Sequence, residues 1–140
     1  MKKLFTLLLL SVFSLLGFNT DINLNAQYCG AAVSNVAITP TTVQQTSASN
    51  STGRRAFSFT ATAGCTYVFE TCGLSTADTY LRLYSTATGG IVLLAGDDNC
   101  GLQSSITWTC TTSGNYSILL TNFSCLVLNS ATRLRYYISG

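Results

Sequence analysis

Asp97, Asp98 and Asn99 stand side by side in the stretch AGDDNCG, in a chain with only five acidic residues. Adjacent carboxylates with an amide are hard oxygen donors, the kind calcium collects roughly six to eight of from carboxylates, amides and backbone carbonyls. Asp78, just ahead of the segment TYLRLYS, is a further oxygen ligand for the same group. Asp and Asn also bond their own backbone in Asx turns, so a tight connection without metal is the plainer alternative.

A second constellation follows Asp78. Tyr80, Arg82 and Tyr84 alternate with Leu81 and Leu83. In a strand, that spacing turns the three larger polar side chains to one face and the leucines to the other. Aromatic rings beside a guanidinium can stack on sugars or grip a peptide, which makes the three a candidate ligand-binding face. Ordinary cross-strand packing is the alternative.

The residue inventory argues against catalysis. There is no His, and the only lysines are Lys2 and Lys3. Hydrolysis by paired carboxylates needs two of them separated across a cleft, one with a raised pKa. Neighbours such as Asp97 and Asp98 would point apart in an extended chain. No catalytic residue is assigned.

Lys2 and Lys3 followed by the apolar run from Leu4 to Phe18 read as a secretory signal peptide, with cleavage after Ala26. Residues 1–26 are then the leader and 27–140 one domain of 114 residues, large enough to bury a core. The run is shorter than the ~20 residues of a membrane span, so no span is expected after cleavage. An uncleaved anchor and a lipoprotein are the alternatives. The second needs a Cys directly after the apolar run, whereas the first is Cys29. Residues 27–140 carry five Arg against four acidic residues, a net charge of +1 that gives no reason to expect nucleic acid.

All six cysteines lie in this mature part, an even count that implies a disulfide framework in a secreted chain. Neither a CxxC nor a His is present, which excludes the usual zinc and thioredoxin-like sites. If segment 65–71 pairs antiparallel with 104–110, paired residue numbers have a nearly constant sum. Cys65 with Cys110 gives 175 and Cys72 with Cys100 gives 172. The expected bridges are therefore Cys65–Cys110, Cys72–Cys100 and, by remainder, Cys29–Cys125.

The elements that must position these groups are strands. Apolar residues recur every second position in 32–38, 54–60, 65–71, 79–85, 90–95, 104–110, 115–122 and 132–138, with turn residues between. No mature segment has a helical period. Residues 41–53, TTVQQTSASNSTG, read as a polar surface loop after Pro40. The segments 57–69 and 106–118 share an apolar-x-apolar-Thr run, a Gly turn and an aromatic strand, and read as two similar hairpins. Trp108 shares a face with Ile106 and Cys110 and is expected in the core. About eight strands without helices give an all-β, two-sheet antiparallel sandwich.

Five stretches in succession, RRAFSFTATAGCTYVFETCG, ADTYLRLYS, LLAGDDN, SSITWTCTTSGNYSILL and RLRYYIS, resemble bacterial pre-peptidase C-terminal domains. The resemblance spans residues 54–138, and Asp78–Tyr84 followed by Asp97-Asp98-Asn99 is its most specific part. It implies a jelly-roll-like sandwich, non-catalytic, usually appended to secreted peptidases and other extracellular enzymes. Related sandwich domains bind collagen or polysaccharide, some with structural calcium. The six cysteines and the lack of an attached enzyme domain depart from the family pattern. The reading is a secreted accessory domain binding an extracellular polysaccharide or protein, with calcium as the one cofactor to consider. The alternative is a purely structural or secretion-assisting module of a larger extracellular protein.

Overall fold

In the computed structural model, residues 29, 34–48, 54–87 and 89–140 are described, and the expected leader lies outside them. Nine strands follow in order: β1 (Ser34–Ala37), β2 (Gln45–Thr46), β3 (Arg55–Ala61), β4 (Thr66–Glu70), β5 (Tyr80–Thr86), β6 (Gly89–Asp97), β7 (Ser105–Thr109), β8 (Gly114–Thr121) and β9 (Arg135–Ile138). They form a five-stranded sheet in the order β1-β3-β8-β5-β6 and a four-stranded sheet in the order β2-β9-β4-β7. No helix occurs among the described residues, and the expected two-sheet sandwich is what the chain builds. Pairing is antiparallel throughout except between β1 and β3.

The alternating residues meet where the sheets face each other. Phe57 and Phe59 from β3, Leu81 and Leu83 from β5 and Ile118 and Leu120 from β8 are buried against Tyr67, Phe69, Ile106 and Leu134 of the other layer. Phe59 sits at the centre, its ring 4.8 Å from Phe69, 5.6 Å from Tyr67, 6.2 Å from Tyr116 and 6.5 Å from Trp108. Trp108 packs on this core but keeps one side toward solvent. The buried Tyr67 ring keeps its hydroxyl satisfied by accepting the Thr62 N–H at 2.8 Å, as a buried polar group requires.

Two expectations about connectivity change. Segments 57–69 and 106–118 are not hairpins. β3 pairs with β8, and β4 with β7. Each Gly turn therefore carries the chain from one sheet across to the other, and the two resulting arches pair with one another strand for strand. Gly64, at φ 88°, makes the first crossing in a conformation that L side chains rarely adopt. The polar loop 41–53 also holds β2, which pairs Gln45 with Tyr136 and Thr46 with Arg135.

The register of β4 and β7, Thr66 opposite Thr109 through Glu70 opposite Ser105, has the sum of 175 given by Cys65 with Cys110, and the 172 of Cys72 with Cys100 lies three off it. Cys72–Cys100 and Cys29–Cys125 are bonded, with Cα separations of 5.8 and 5.3 Å. Cys65 and Cys110 remain thiols, which corrects the expected Cys65–Cys110 bridge. The backbone ladder still reaches this pair, the Cys110 N–H donating to the Cys65 carbonyl at 2.9 Å, and it is the side chains that part. The Cys65 N–H turns back to the Thr62 carbonyl around Gly64, and the Cys110 thiol donates instead to the Thr112 carbonyl at 3.1 Å.

Phe59→Ala should lower unfolding stability by about 3–5 kcal/mol, because four neighbouring rings cannot collapse into the space it leaves. Urea titration followed by Trp108 fluorescence measures the loss.

Candidate functional site

The acidic stretch lies where β6 ends against the start of β7. A Cβ on Gly96 would lie 2.3 Å from the Ser105 carbonyl oxygen, so only glycine lets the two backbones approach this closely. Asp98 then adopts φ 48°, a left-handed turn conformation that Asp tolerates better than most residues. The Asn99 side chain closes the turn, its Oδ1 accepting the Ser105 N–H at 2.9 Å. Cys100 is anchored to Cys72 and bridges Gln103.

Beneath this loop lies a buried hydroxyl knot that sequence pattern did not reveal. Thr71 and Thr79 share a hydrogen bond between their hydroxyls at 2.7 Å, and the Ser104 N–H reaches both, at 3.0 and 3.1 Å. The Ser104 hydroxyl donates to the Thr79 carbonyl. All three residues are fully buried. Their mutual bonds fix the position of Asp78, the residue before Thr79, against the 97–103 loop.

Carboxylate oxygens of Asp78, Asp97 and Asp98 consequently lie within 4.8 Å of one another. Burial raises the Asp97 pKa, and the charges of Asp98 and Asp78 raise it further, with the Asp98 backbone N–H and Arg82 opposing. Asn99 is turned to the Ser105 backbone, so the donor set that gathers is the three carboxylates.

The tyrosine–arginine face divides in two. Leu81 and Leu83 are buried and Tyr80 and Arg82 are half-exposed on the opposite side. The Arg82 guanidinium lies 4.0 Å from the Tyr80 ring centroid. It donates to Thr121 Oγ1 and to the Phe123 carbonyl, both at 3.0 Å. Tyr84 points to the same face but is completely buried, which removes it from the candidate ligand-binding set. Cys29 and Cys125, joined by their disulfide, pack over Tyr84 and Leu119, and Arg54 holds the strap by donating to both their carbonyls at 2.8 and 3.4 Å.

The strap brings in residues the alternation did not point to. Phe123 is 64% exposed and meets the Tyr80 ring edge-on, with centroids 5.4 Å apart. Leu126 and Val127 are nearly as open. The turn carrying them is closed by Asn122, whose Oδ1 accepts the Leu126 N–H at 2.8 Å and whose carbonyl accepts the Cys125 N–H at 3.1 Å. Between this turn and residues 76–78 runs a groove of about 560 Å³, with Asp78 on one wall and Phe123, Leu126 and Val127 on the other. The one sequence signal for these residues was an apolar run, LVL, outside any strand.

The pre-peptidase C-terminal domain of a collagenase from Bacillus anthracis superimposes with a TM-score of 0.53 at 10% identity, covering 79% of this chain and 99% of that one. The chain folds like a pre-peptidase C-terminal domain. A periplasmic inhibitor of g-type lysozyme from Aeromonas hydrophila shares this pre-peptidase-like sandwich, with a TM-score of 0.51 at 17% identity over 77% of this chain and all of that one. No protein-family model and no curated protein sequence matches the chain.

Asp97 carries a pKa above its unfolded value, so the folded state holds its proton more tightly. This group therefore favours folding below the carboxylate range and disfavours it as pH rises through that range. Asp97→Asn should raise the melting temperature at pH 7 by about 1–3 °C, from a few tenths of a kcal/mol of relieved repulsion. The gain should vanish near pH 3. Paired calorimetric scans at the two pH values, with divalent cations removed, check it.

Proposed function

We propose that this chain is a non-catalytic extracellular or periplasmic module that binds a polymer through the face formed by Tyr80, Arg82 and Phe123. One observation carries the reading. A half-exposed tyrosine, an arginine and an open phenylalanine are held in fixed contact by two guanidinium hydrogen bonds, so little conformational freedom is lost on binding. Two disulfides suit an oxidising compartment.

Of the two polymer classes, protein fits better than carbohydrate. The Tyr80 and Phe123 rings meet at 75° and so offer no flat platform for a sugar, and Leu126 and Val127 extend the face with aliphatic surface. The sandwich with the same fold that inhibits a lysozyme acts on a protein. Tyr80→Ala with Phe123→Ala should cut retention on collagen and other extracellular proteins about ten-fold while circular dichroism stays unchanged, each lost ring contact contributing ~0.5–1.5 kcal/mol. Unchanged retention on every polymer the wild type binds would rule this face out.

The covered Tyr84 favours a second reading, a structural or secretion-assisting module, since the strap closes half of the same sheet face. That module would bind no polymer in either form.

Calcium is the cofactor the donor set fits. The three carboxylates supply hard oxygens but only about half of the six to eight that the ion takes, so binding should be weak. Millimolar calcium should raise the melting temperature by about 1–4 °C over a chelator, and this response should be lost in Asp97→Asn with Asp98→Asn. Identical curves for the wild type in calcium and in chelator would leave the loop as a turn only.

A further inference from the structure

We propose that the groove between residues 76–78 and 122–129 seats a basic, apolar segment of a partner protein, its lysine or arginine toward the Asp78, Asp97 and Asp98 carboxylates and its apolar neighbour on Phe123, Leu126 and Val127. This rests on the reading of the chain as a protein-binding module and names the partner's chemistry.

Charge distribution carries the argument. Among the described residues the acidic ones are Glu70, Asp78, Asp97 and Asp98. Glu70 is paired with Arg135 at 2.9 Å. The other three gather at a single place, and that place borders the groove through Asp78. Arg82, whose charge acts on Asp97, is itself engaged with Thr121 and the Phe123 carbonyl. The remaining negative field has no counterpart in the groove, and an incoming ammonium or guanidinium would supply it.

The apolar wall is the second half of the fit. Phe123, Leu126 and Val127 are each more than half exposed and adjoin one another on one turn. The Cys29–Cys125 bond and the Asn122 hydrogen bonds fix that turn before any partner arrives. An open aromatic with aliphatic neighbours, rimmed by charge, has the make-up of an interface centre. A metal ion would satisfy the carboxylates and leave this wall bare. A neutral polymer would cover the wall and leave the carboxylates without a counter-charge. A cationic apolar segment meets both.

Three eight-residue peptides test the inference by fluorescence anisotropy in the presence of a chelator: alternating lysine and leucine, alternating glutamate and leucine, and alternating lysine and serine. The lysine–leucine peptide should bind at least ten-fold more tightly than either other and should weaken as salt rises. Asp78→Asn alone should weaken it several-fold. Asp78→Asn with Asp97→Asn and Asp98→Asn should weaken it ten-fold or more, as should Phe123→Ser with Leu126→Ser. Equal binding of the lysine–leucine and glutamate–leucine peptides, abolished by Phe123→Ser, would overturn the charge pairing and leave the protein-binding reading standing. Wild-type retention on collagen with no peptide bound would overturn the groove in the same way. Failure of retention and of all three peptides would overturn both.

Discussion

Three buried hydroxyls hold the acidic end of this sandwich together. Thr71 closes β4, Thr79 precedes β5 and Ser104 precedes β7, so their mutual hydrogen bonds join both sheets at one corner. Each hydroxyl is out of reach of water, and its partners are the other two residues of the knot and their backbone. Loss of one would orphan the others, at ~1–3 kcal/mol for each unsatisfied group. Geometry downstream follows from this corner. The Cys72–Cys100 bond lies next to it, Gly96 admits the Ser105 carbonyl beside it, and Asp78 is placed by the residue after it. A repulsive cluster of carboxylates can persist there because the stabilising bonds sit underneath, in low dielectric, and the carboxylates sit at the surface.

The outer face of β5 shows how one strand can serve two ends. Tyr80 and Tyr84 occupy equivalent positions of the same alternation, four residues apart. One becomes part of an open cluster with Arg82 and Phe123. The other becomes a second small core under the Cys29–Cys125 strap. What separates them is the path of residue 29, fixed by a disulfide that spans 96 positions of sequence and by the Arg54 guanidinium. The strap thus covers half the face and presents Phe123 on the other half.

Period-two alternation was enough to read the strands, because burial of every second side chain is a local property. Leu81, Leu83, Phe57, Phe59, Ile118 and Leu120 face the core as their spacing implies. The positions of Cys65 and Cys110 carried the β4–β7 register, since antiparallel pairing keeps residue-number sums constant, although these two form no bridge. Crossing between sheets was not legible. A strand, a Gly turn and a second strand look alike in a hairpin and in an arch, and only the distant partners β7 and β8 decide which forms. Tyr84 was misread for the same reason, its cover coming from residues 29 and 125. Phe123, Leu126 and Val127 obey no period, and the short apolar run at 126–128, which stands outside any strand, does not tell an exposed turn from a buried one. Asp78, Asp97 and Asp98 were found together because short polar side chains at a turn stand out in a chain so poor in charge.

The paired arches also govern how the chain must reach this structure. Phe57 meets Ile118 and Phe69 meets Ile106, so the central ladders join residues about 60 and about 40 positions apart. Within an arch, the two strands belong to different sheets and share no ladder. Neither arch can therefore zip up from its own turn as a hairpin does. Loop-closure entropy is lost before any ladder compensates for it, which places such topologies among the slow folders, on the scale of milliseconds to seconds. Each arch gains its ladders only by meeting the other, in contrast to β5 and β6, which pair across their own short turn.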